Sequence, residues 1–380
     1  MNSLREQIGI DKSNLYLDII RIDFKKLNKN KNVFVNWYHK DTYPIKNNNI
    51  SLKSISLKDD TIGKLSVNVK FDKVRNGFKY ISRLDLLSCP DGNNLNNLTV
   101  NEYKNHVKDV LKDLWQRYGL LFDYDTISVN SLEINATIEL TEEYQKYNDA
   151  IEFIIKNMPC KYYSEKQNGD IKYACWHEVN IKNNTDSVQT VRVKNANIQF
   201  KIYNKGQHLS DKGIWGDCKQ SFLRAEYTFN ARTIKRFTDG NLSLQALTDS
   251  KIRYMYKHFF VRDVVKPYED WRNNNTKELK SLVIAHQNYS RYWVDSFLRD
   301  CREYNNTHAL PVLFDIEDMR AIFKSLDCQN YRKKYISFEN KCIYEHDLKG
   351  NTGRLTEIID KIYRLTVTSE VTNICSSKVS

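Results

Sequence analysis

Ser131-Leu132-Glu133-Ile134-Asn135-Ala136-Thr137-Ile138-Glu139-Leu140 alternates polar and apolar residues over ten positions. Successive side chains of an extended chain point to opposite faces, so a period of two predicts a strand. Leu132, Ile134, Ala136, Ile138 and Leu140 form its buried face, and Glu133, Asn135, Thr137 and Glu139 its polar face. A strand of this kind needs partners on both edges and a cover over its apolar side.

The flanking sequence supplies both. Upstream, Thr99 and Glu102 form a capping box, and Val107, Val110, Leu111, Leu114, Trp115 and Tyr118 recur at helical spacing up to a stop at Gly119. Downstream, Thr141 is the expected cap of a second helix, with Ile151, Ile154 and Ile155, ending before Pro159. The first ninety residues read as strands: Leu15 to Phe24, Asn32 to Tyr38, Lys64 to Phe71 and Gly77 to Leu87.

Residues 161 to 204 read as a run of strands. The last of them continues through Lys201 to Gly206, with Ile198, Phe200 and Ile202 on one face and Lys201, Tyr203 and Lys205 on the other. A loop from Gly206 to Gln220 leads to another strand, where Leu223, Ala225, Tyr227 and Phe229 oppose Arg224 and Glu226. A short basic helix, Ala231 to Phe237, follows.

Beyond about residue 245 the pattern turns helical, best over Lys277 to Arg302 and Asp315 to Leu326, with breaks at Pro267 and Pro311. The expected fold class is α+β: an antiparallel-rich sheet body with packed helices, followed by a helical C-terminal region. The expected division is a catalytic and DNA-binding body over 1–245, itself separable into 1–120 and 121–245, and a helical region over 246–380.

Charge points to a polyanionic partner. Lys and Arg number 59 against 47 Asp and Glu, a net +12, and each neutralised phosphate releases counterions and adds affinity. A general Lys and Asn bias accounts equally well for the total, but not for its distribution. From Arg192 to Arg236, ten basic residues stand against three acids, a net +7 gathered around the two polar-faced strands.

Eight cysteines at irregular spacing, none in a C-x-x-C pair, indicate neither a zinc ribbon nor a disulfide framework. Cys175 and His177 lack a second pair of ligands. No phosphate-cradling G-x-x-x-x-G-K-[ST], no G-x-G-x-x-G and no H-E-x-x-H occurs. There is no apolar leader and no run of eighteen apolar residues. A cytoplasmic protein with no membrane partner is expected.

Carboxylates on strand faces remain. Glu133 and Glu226 sit on polar faces beside inward-facing aliphatics, with Asp18, Asp23 and Asp85 as further candidates. Converging carboxylates can hold Mg²⁺ or Mn²⁺ through oxygen. Such a metal polarises a scissile phosphate, and a tyrosine hydroxyl can attack it. Taken alone, any strand-face acid is more often simply solvated. Glu226 is harder to dismiss, because an acid in so basic a stretch repels the ligand its neighbours attract.

Lys201-Ile202-Tyr203-Asn204-Lys205-Gly206, the loop, Leu223-Arg224-Ala225-Glu226 and then Ala231-Arg232-Thr233-Ile234-Lys235-Arg236 resemble a known order of motifs. It is that of the phage and plasmid replication proteins grouped around genes II and X of filamentous phage, and of the related Rep_trans plasmid initiators. Those families show a K-hydrophobic-Y-x-K strand, a loop, an L-R-hydrophobic-E strand and a basic helix. Leu132-Glu133-Ile134 stands where they carry R-hydrophobic-D. The likeness covers about residues 127 to 260.

The resemblance implies a rolling-circle replication initiator that nicks one origin strand and forms a covalent 5′-phosphotyrosine. Mg²⁺ or Mn²⁺ would be held by Glu133 and Glu226, with Lys205 and Arg224 on phosphate. Lys201, Arg232, Lys235 and Arg236 would contact DNA, single-stranded or hairpin, at the origin. A homodimer, and a host helicase and polymerase, are the other partners implied. In those families the nucleophile lies just upstream of the K-x-Y-x-K strand. At that spacing stands Thr190-Val191-Arg192, with Arg in the tyrosine's place. Tyr173 in Asp170-Ile171-Lys172-Tyr173 fits the local pattern across an inserted hairpin. Tyr173 is the expected nucleophile, Tyr203 the fallback, and a missing nucleophile the third case.

The competing expectation is a non-catalytic, sequence-specific DNA-binding initiator or regulator; an RNA-binding protein ranks third. The discriminating observation is whether Glu133 and Glu226 meet across adjacent strands.

Overall fold

The computed structural model describes residues 4–29, 33–37, 53–72, 77–87, 97–158, 164–165, 171–172, 190–194, 197–211, 213, 221–286, 292–308, 311–326, 329–344, 351–367 and 372–374. Its centre is a nine-stranded antiparallel sheet. In chain order the strands are β1 (Ile8–Ile22), β2 (Val33–Trp37), β3 (Lys53–Asp59), β4 (Gly63–Asp72), β5 (Gly77–Leu87), β6 (Leu120–Glu139), β7 (Thr190–Lys194), β8 (Ile198–Asn204) and β9 (Phe222–Asn230). Their order across the sheet is β7-β8-β9-β6-β1-β5-β4-β3-β2.

Ser131 to Glu139 form the last part of β6, a strand of 20 residues, and Leu140 follows it. Leu132, Ile134, Ala136 and Ile138 are buried, as alternation requires. β6 and β1 are the spine of the sheet. Their pairing contains four register irregularities, and each extra residue bends the strand and sharpens its twist, so the sheet curls.

Helices α1 (Val100–Asp113), α2 (Asn148–Lys156), α3 (Lys205–Asp211), α4 (Ala231–Phe237), α5 (Asp249–Phe260), α6 (Lys266–Ala285), α7 (Trp293–Thr307), α8 (Ile316–Ser325), α9 (Gln329–Tyr344) and α10 (Asn351–Val367) complete the framework. The capping box at Thr99 forms as expected. A π-turn, Leu114–Tyr118, follows α1, and Gly119 closes it in a left-handed conformation with φ 72°. A Cβ there would meet Asp23 at 2.8 Å, so only glycine fits.

Several sequence expectations need correction. β1 starts at Ile8 rather than Leu15, and β3 was not anticipated. The expected loop after Gly206 begins with α3. Thr141 caps no helix; its backbone N–H and hydroxyl donate to Glu357 of α10, at 2.9 and 2.8 Å. The stretch Lys277 to Arg302 is divided between α6 and α7. Pro267 does not break its helix, since a π-turn at Val261–Val265 joins α5 to α6 and puts proline in α6's first turn.

The expected boundary at 245/246 is not where the cores part. Ile252, Phe259, Tyr268 and Trp271, together with Leu355, Ile358 and Ile362 of α10, belong to the sheet's own core. A second core, from Leu279 to Phe338, is built by α6 to α9 with Val312 and Phe314 from the segment before α8. α10 therefore returns to the body after the helical excursion. No helix among the described residues is long and apolar enough to cross a membrane.

Candidate metal centre

Strand register puts the two predicted glutamates together. β8 pairs with β9 so that Lys201 lies opposite Glu226 and Tyr203 opposite Arg224. β9 pairs with β6 so that Glu226 lies opposite Asn135 and Thr228 opposite Glu133. Cross-strand partners share a face, so Glu133, Glu226, Lys201, Tyr203 and Arg224 all belong to the sheet's polar face. Glu133 and Glu226 are diagonal neighbours on adjacent strands.

A third acid joins them that the sequence did not reveal. In the β1–β6 ladder, Ile10 pairs with Ile134 and Lys12 with Glu133, leaving Asp11 as the extra residue of a β-bulge. Carboxylate oxygens of Asp11, Glu133 and Glu226 lie within 4.8 Å of one another. All three residues are buried, at 0%, 6% and 2% exposure. A bulge has no signature in a single sequence, and the polar run Asp11 to Asn14 disguised the strand.

Basic residues surround this triad at close range. Lys201 Nζ donates to Glu133 Oε2 at 2.9 Å and to Glu226 Oε2 at 3.1 Å. The Arg224 guanidinium is 3.6 Å from Asp11 and donates through Nε to Thr137 Oγ1 at 2.8 Å. Tyr203 donates its hydroxyl to Glu226 Oε1 at 2.6 Å, and Thr228 donates to Glu133 Oε2 at 3.1 Å.

These surroundings pull the acids apart. Burial raises Glu226 to about 7, reinforced by the charges of Glu133 and Asp11 and only partly offset by Lys201 and Arg224. For Asp11, burial also acts upward, but Arg224, Lys205, Lys12 and a hydrogen bond from Glu226 outweigh it and hold the group low. Like charges this close disfavour one another, and Glu226 holds its proton more tightly than Asp11 does. Lys201 is raised: burial alone would lower it, and Glu226 and Glu133 reverse that.

The donor set suits a hard divalent cation, which takes carboxylate oxygens. One observation tests the fit. Glu133 Oε1 is buried with no hydrogen-bond partner, and the Lys12 ammonium stands 3.9 Å from it. A buried carboxylate oxygen left unbonded is costly, and a bound cation would satisfy it.

The other sequence candidates fall elsewhere. Arg224 and Lys205 are fully buried and act on Asp11, which corrects the expectation that they face phosphate. Lys205 opens α3 rather than continuing the strand. Lys201 is mostly buried between the glutamates and is not a surface DNA contact. Tyr203 is buried, and burial together with the Glu226 charge pushes its hydroxyl well above the ordinary range. It holds Glu226 in place, a poor setting for a nucleophile. Tyr173 lies outside the described residues. Arg192 stands opposite Lys201 in the β7–β8 register, two strands out from Glu226.

Arg232, Lys235 and Arg236 are exposed on α4, directly after β9. Asn230 caps this helix by accepting from the Thr233 backbone. Asp18 is exposed on β1, Asp23 caps the helical turn Phe24–Leu27, and Asp85 pairs with Asn14 and Arg83. None of these three belongs to the triad. No family model matches this chain, and no curated protein matches it.

Proposed function

We propose that this protein is a metal-dependent, DNA-nicking replication initiator of the rolling-circle kind. The observation that carries the reading is the convergence of Asp11, Glu133 and Glu226 on one buried point, with an oxygen of Glu133 unbonded. The exposed basic helix α4, beginning at the end of the Glu226 strand, supports it. So does the order of sequence motifs between residues 127 and 260.

In this reading the three carboxylates hold Mg²⁺ or Mn²⁺, which would polarise a scissile phosphate. Tyr203 fixes one oxygen of Glu226 through its hydrogen bond. Arg224 and Lys205 keep Asp11 ionised and ready to ligate. Arg232, Lys235 and Arg236 track the phosphate backbone. Tyr173 is assigned the attack on phosphorus, with the departing 3′ oxygen left free to prime synthesis.

The test is incubation of the full chain with pools of single-stranded and hairpin oligonucleotides in Mg²⁺ or Mn²⁺, followed by mass measurement of the protein. A nucleotide adduct is expected in the wild type, lost in Tyr173→Phe and in Glu226→Gln. Undiminished nicking by Glu226→Gln would reject the metal assignment, and an adduct surviving in Tyr173→Phe would reject that nucleophile.

One observation favours a second reading. The Lys201 ammonium lies between Glu133 and Glu226, so a positive charge already stands where a cation would bind. A non-catalytic DNA-binding initiator or regulator needs nothing more than this neutralised core. It predicts duplex binding without any covalent adduct, with or without divalent metal.

A further inference from the structure

The second core holds its helices in a distinctive arrangement. α8 and α9 are separated by the three residues between Ser325 and Gln329, and they pack on each other through Phe323, Tyr335 and Phe338. Phe323 lies 5.7 Å from Tyr335 and 6.4 Å from Phe338, ring to ring. Phe338 is fully buried and also touches Trp293, Phe297 and Phe314. Lys334 donates to the carbonyl of His286 at 2.8 Å and lies over the Trp293 ring. One side of α9 is thus anchored to α7, α8 and the end of α6.

Its other side is open. Arg332, Lys333, Ile336, Ser337 and Asn340 are all exposed, and their spacing puts them on a single helical face. That face carries no acid. Glu339 turns away, within 3.2 Å of the Tyr335 hydroxyl and 3.5 Å of Arg320. Ile336, 48% exposed, is an apolar group set among donors and cations.

We propose that α8 and α9 form a helix-turn-helix, and that the Arg332–Asn340 face of α9 reads the major groove of duplex DNA. The geometry required is two packed helices joined by a short turn, with the second presenting a free face. The chemistry is that of base edges. Arginine pairs with guanine O6 and N7, asparagine with adenine N6 and N7, and an aliphatic side chain covers the thymine methyl. Lys333 beside Arg332 supplies charge for the backbone, and Lys324 and Ser325 are exposed at the end of α8. A second copy of the chain is a poorer occupant, because two-fold pairing of this face would oppose its own cations.

This inference rests on the DNA-binding part of the proposed function and is independent of nicking. It assigns duplex selection to the helical region and leaves strand chemistry to the sheet body.

The test uses the full chain and a library of randomised duplexes of about 20 base pairs, selected over several rounds at ~100 mM salt. A defined sequence should emerge. On that duplex, Arg332→Ala and Asn340→Ala should each weaken binding about tenfold or more and relax preference at one base position. Lys333→Ala should weaken binding to all sequences and reduce the salt slope by about 1. All three positions are exposed, so circular dichroism melts should match wild type.

If the selected duplex is bound equally well by the triple variant Arg332→Ala, Lys333→Ala, Asn340→Ala and lost only on changing Arg232, Lys235 and Arg236, the inference is overturned while the DNA reading stands. If no duplex is retained by any form of the protein, the inference falls; adduct formation on single strands then decides the proposed function separately. Loss of self-association in the triple variant, without loss of DNA binding, would assign the face to a second copy and overturn the proposal.

Discussion

Two buried carboxylates at different places in one sheet meet opposite fates. Asp59, at the end of β3, receives donors from every side: the Thr61 backbone at 2.8 Å and hydroxyl at 2.6 Å, the Ile62 backbone at 3.2 Å, the Tyr118 hydroxyl and the Arg117 guanidinium. Burial alone would raise it, but the hydrogen bonds from Thr61, Tyr118 and Ile62 pull it well below the ordinary carboxylate range. Glu226 has Tyr203 and Lys201 as donors, but also two acids at its side, and it rises to about 7.

The first group is a closed structural unit that stitches the β3–β4 turn to the end of α1. The second carries a carboxyl group whose surroundings disfavour its charge. Burial acts upward on both; donors reverse it at Asp59, and neighbouring acids reinforce it at Glu226.

The sharpest way to break this contrast is substitution at both acids without metal. Asp59→Asn should lower unfolding free energy by about 3 kcal/mol, because several donors lose a charged acceptor. Glu226→Gln should leave stability within about 1 kcal/mol or raise it, since it removes a charge the site repels. Urea unfolding curves of both variants decide this, and equal losses would erase the distinction.

The pH dependence sharpens it next. The folded value of Glu226 lies above its ordinary 4.5, so ionising it costs stability. The metal-free protein should therefore gain stability as pH falls from about 8 through about 5, and Glu226→Gln should flatten that rise. Asp59 has the opposite sign. Its stabilising effect is complete above the ordinary 3.8 and is lost only as pH falls below it. Thermal melts across the range should separate the two groups, and a Glu226→Gln profile identical to wild type would sink the assignment.

The smallest effect concerns Lys201. Removing its ammonium with Lys201→Met should tighten Mg²⁺ binding roughly tenfold, or about 1.4 kcal/mol, as read by calorimetry. Unchanged or weaker binding would mean that Lys201 does not compete for the site.

Much of the architecture was legible because it depends on alternation and caps. The faces of β8 and β9, the alternation ending β6, the short basic helix α4 and the Thr99 capping box all follow from local residue order. Glu133 and Glu226 were found because each stands out of phase with aliphatic neighbours. What escaped was set by long-range contacts. Asp11 enters through a bulge defined only by its partner strand. Arg224 looks like a surface cation until its buried partners Asp11 and Thr137 are seen. Likewise, the return of α10 to the sheet, tied by Glu357 to Thr141, cannot be read from either segment alone.

The bulge at Asp11 has one more consequence. Ile8 and Ile10 pair with the apolar residues Ala136 and Ile134, whereas Lys12 pairs with Glu133 and Ser13 with Leu132. Deleting Asp11 would join Ile10 directly to Lys12 with every other pairing unchanged. The ladder would then run unbroken from Ile8 to Asn14, one kink straighter, with the three later irregularities unchanged. The third carboxylate is thus a single-residue insertion that the strand register does not require. Its removal would preserve the register on both sides but leave the buried Arg224 guanidinium without its carboxylate.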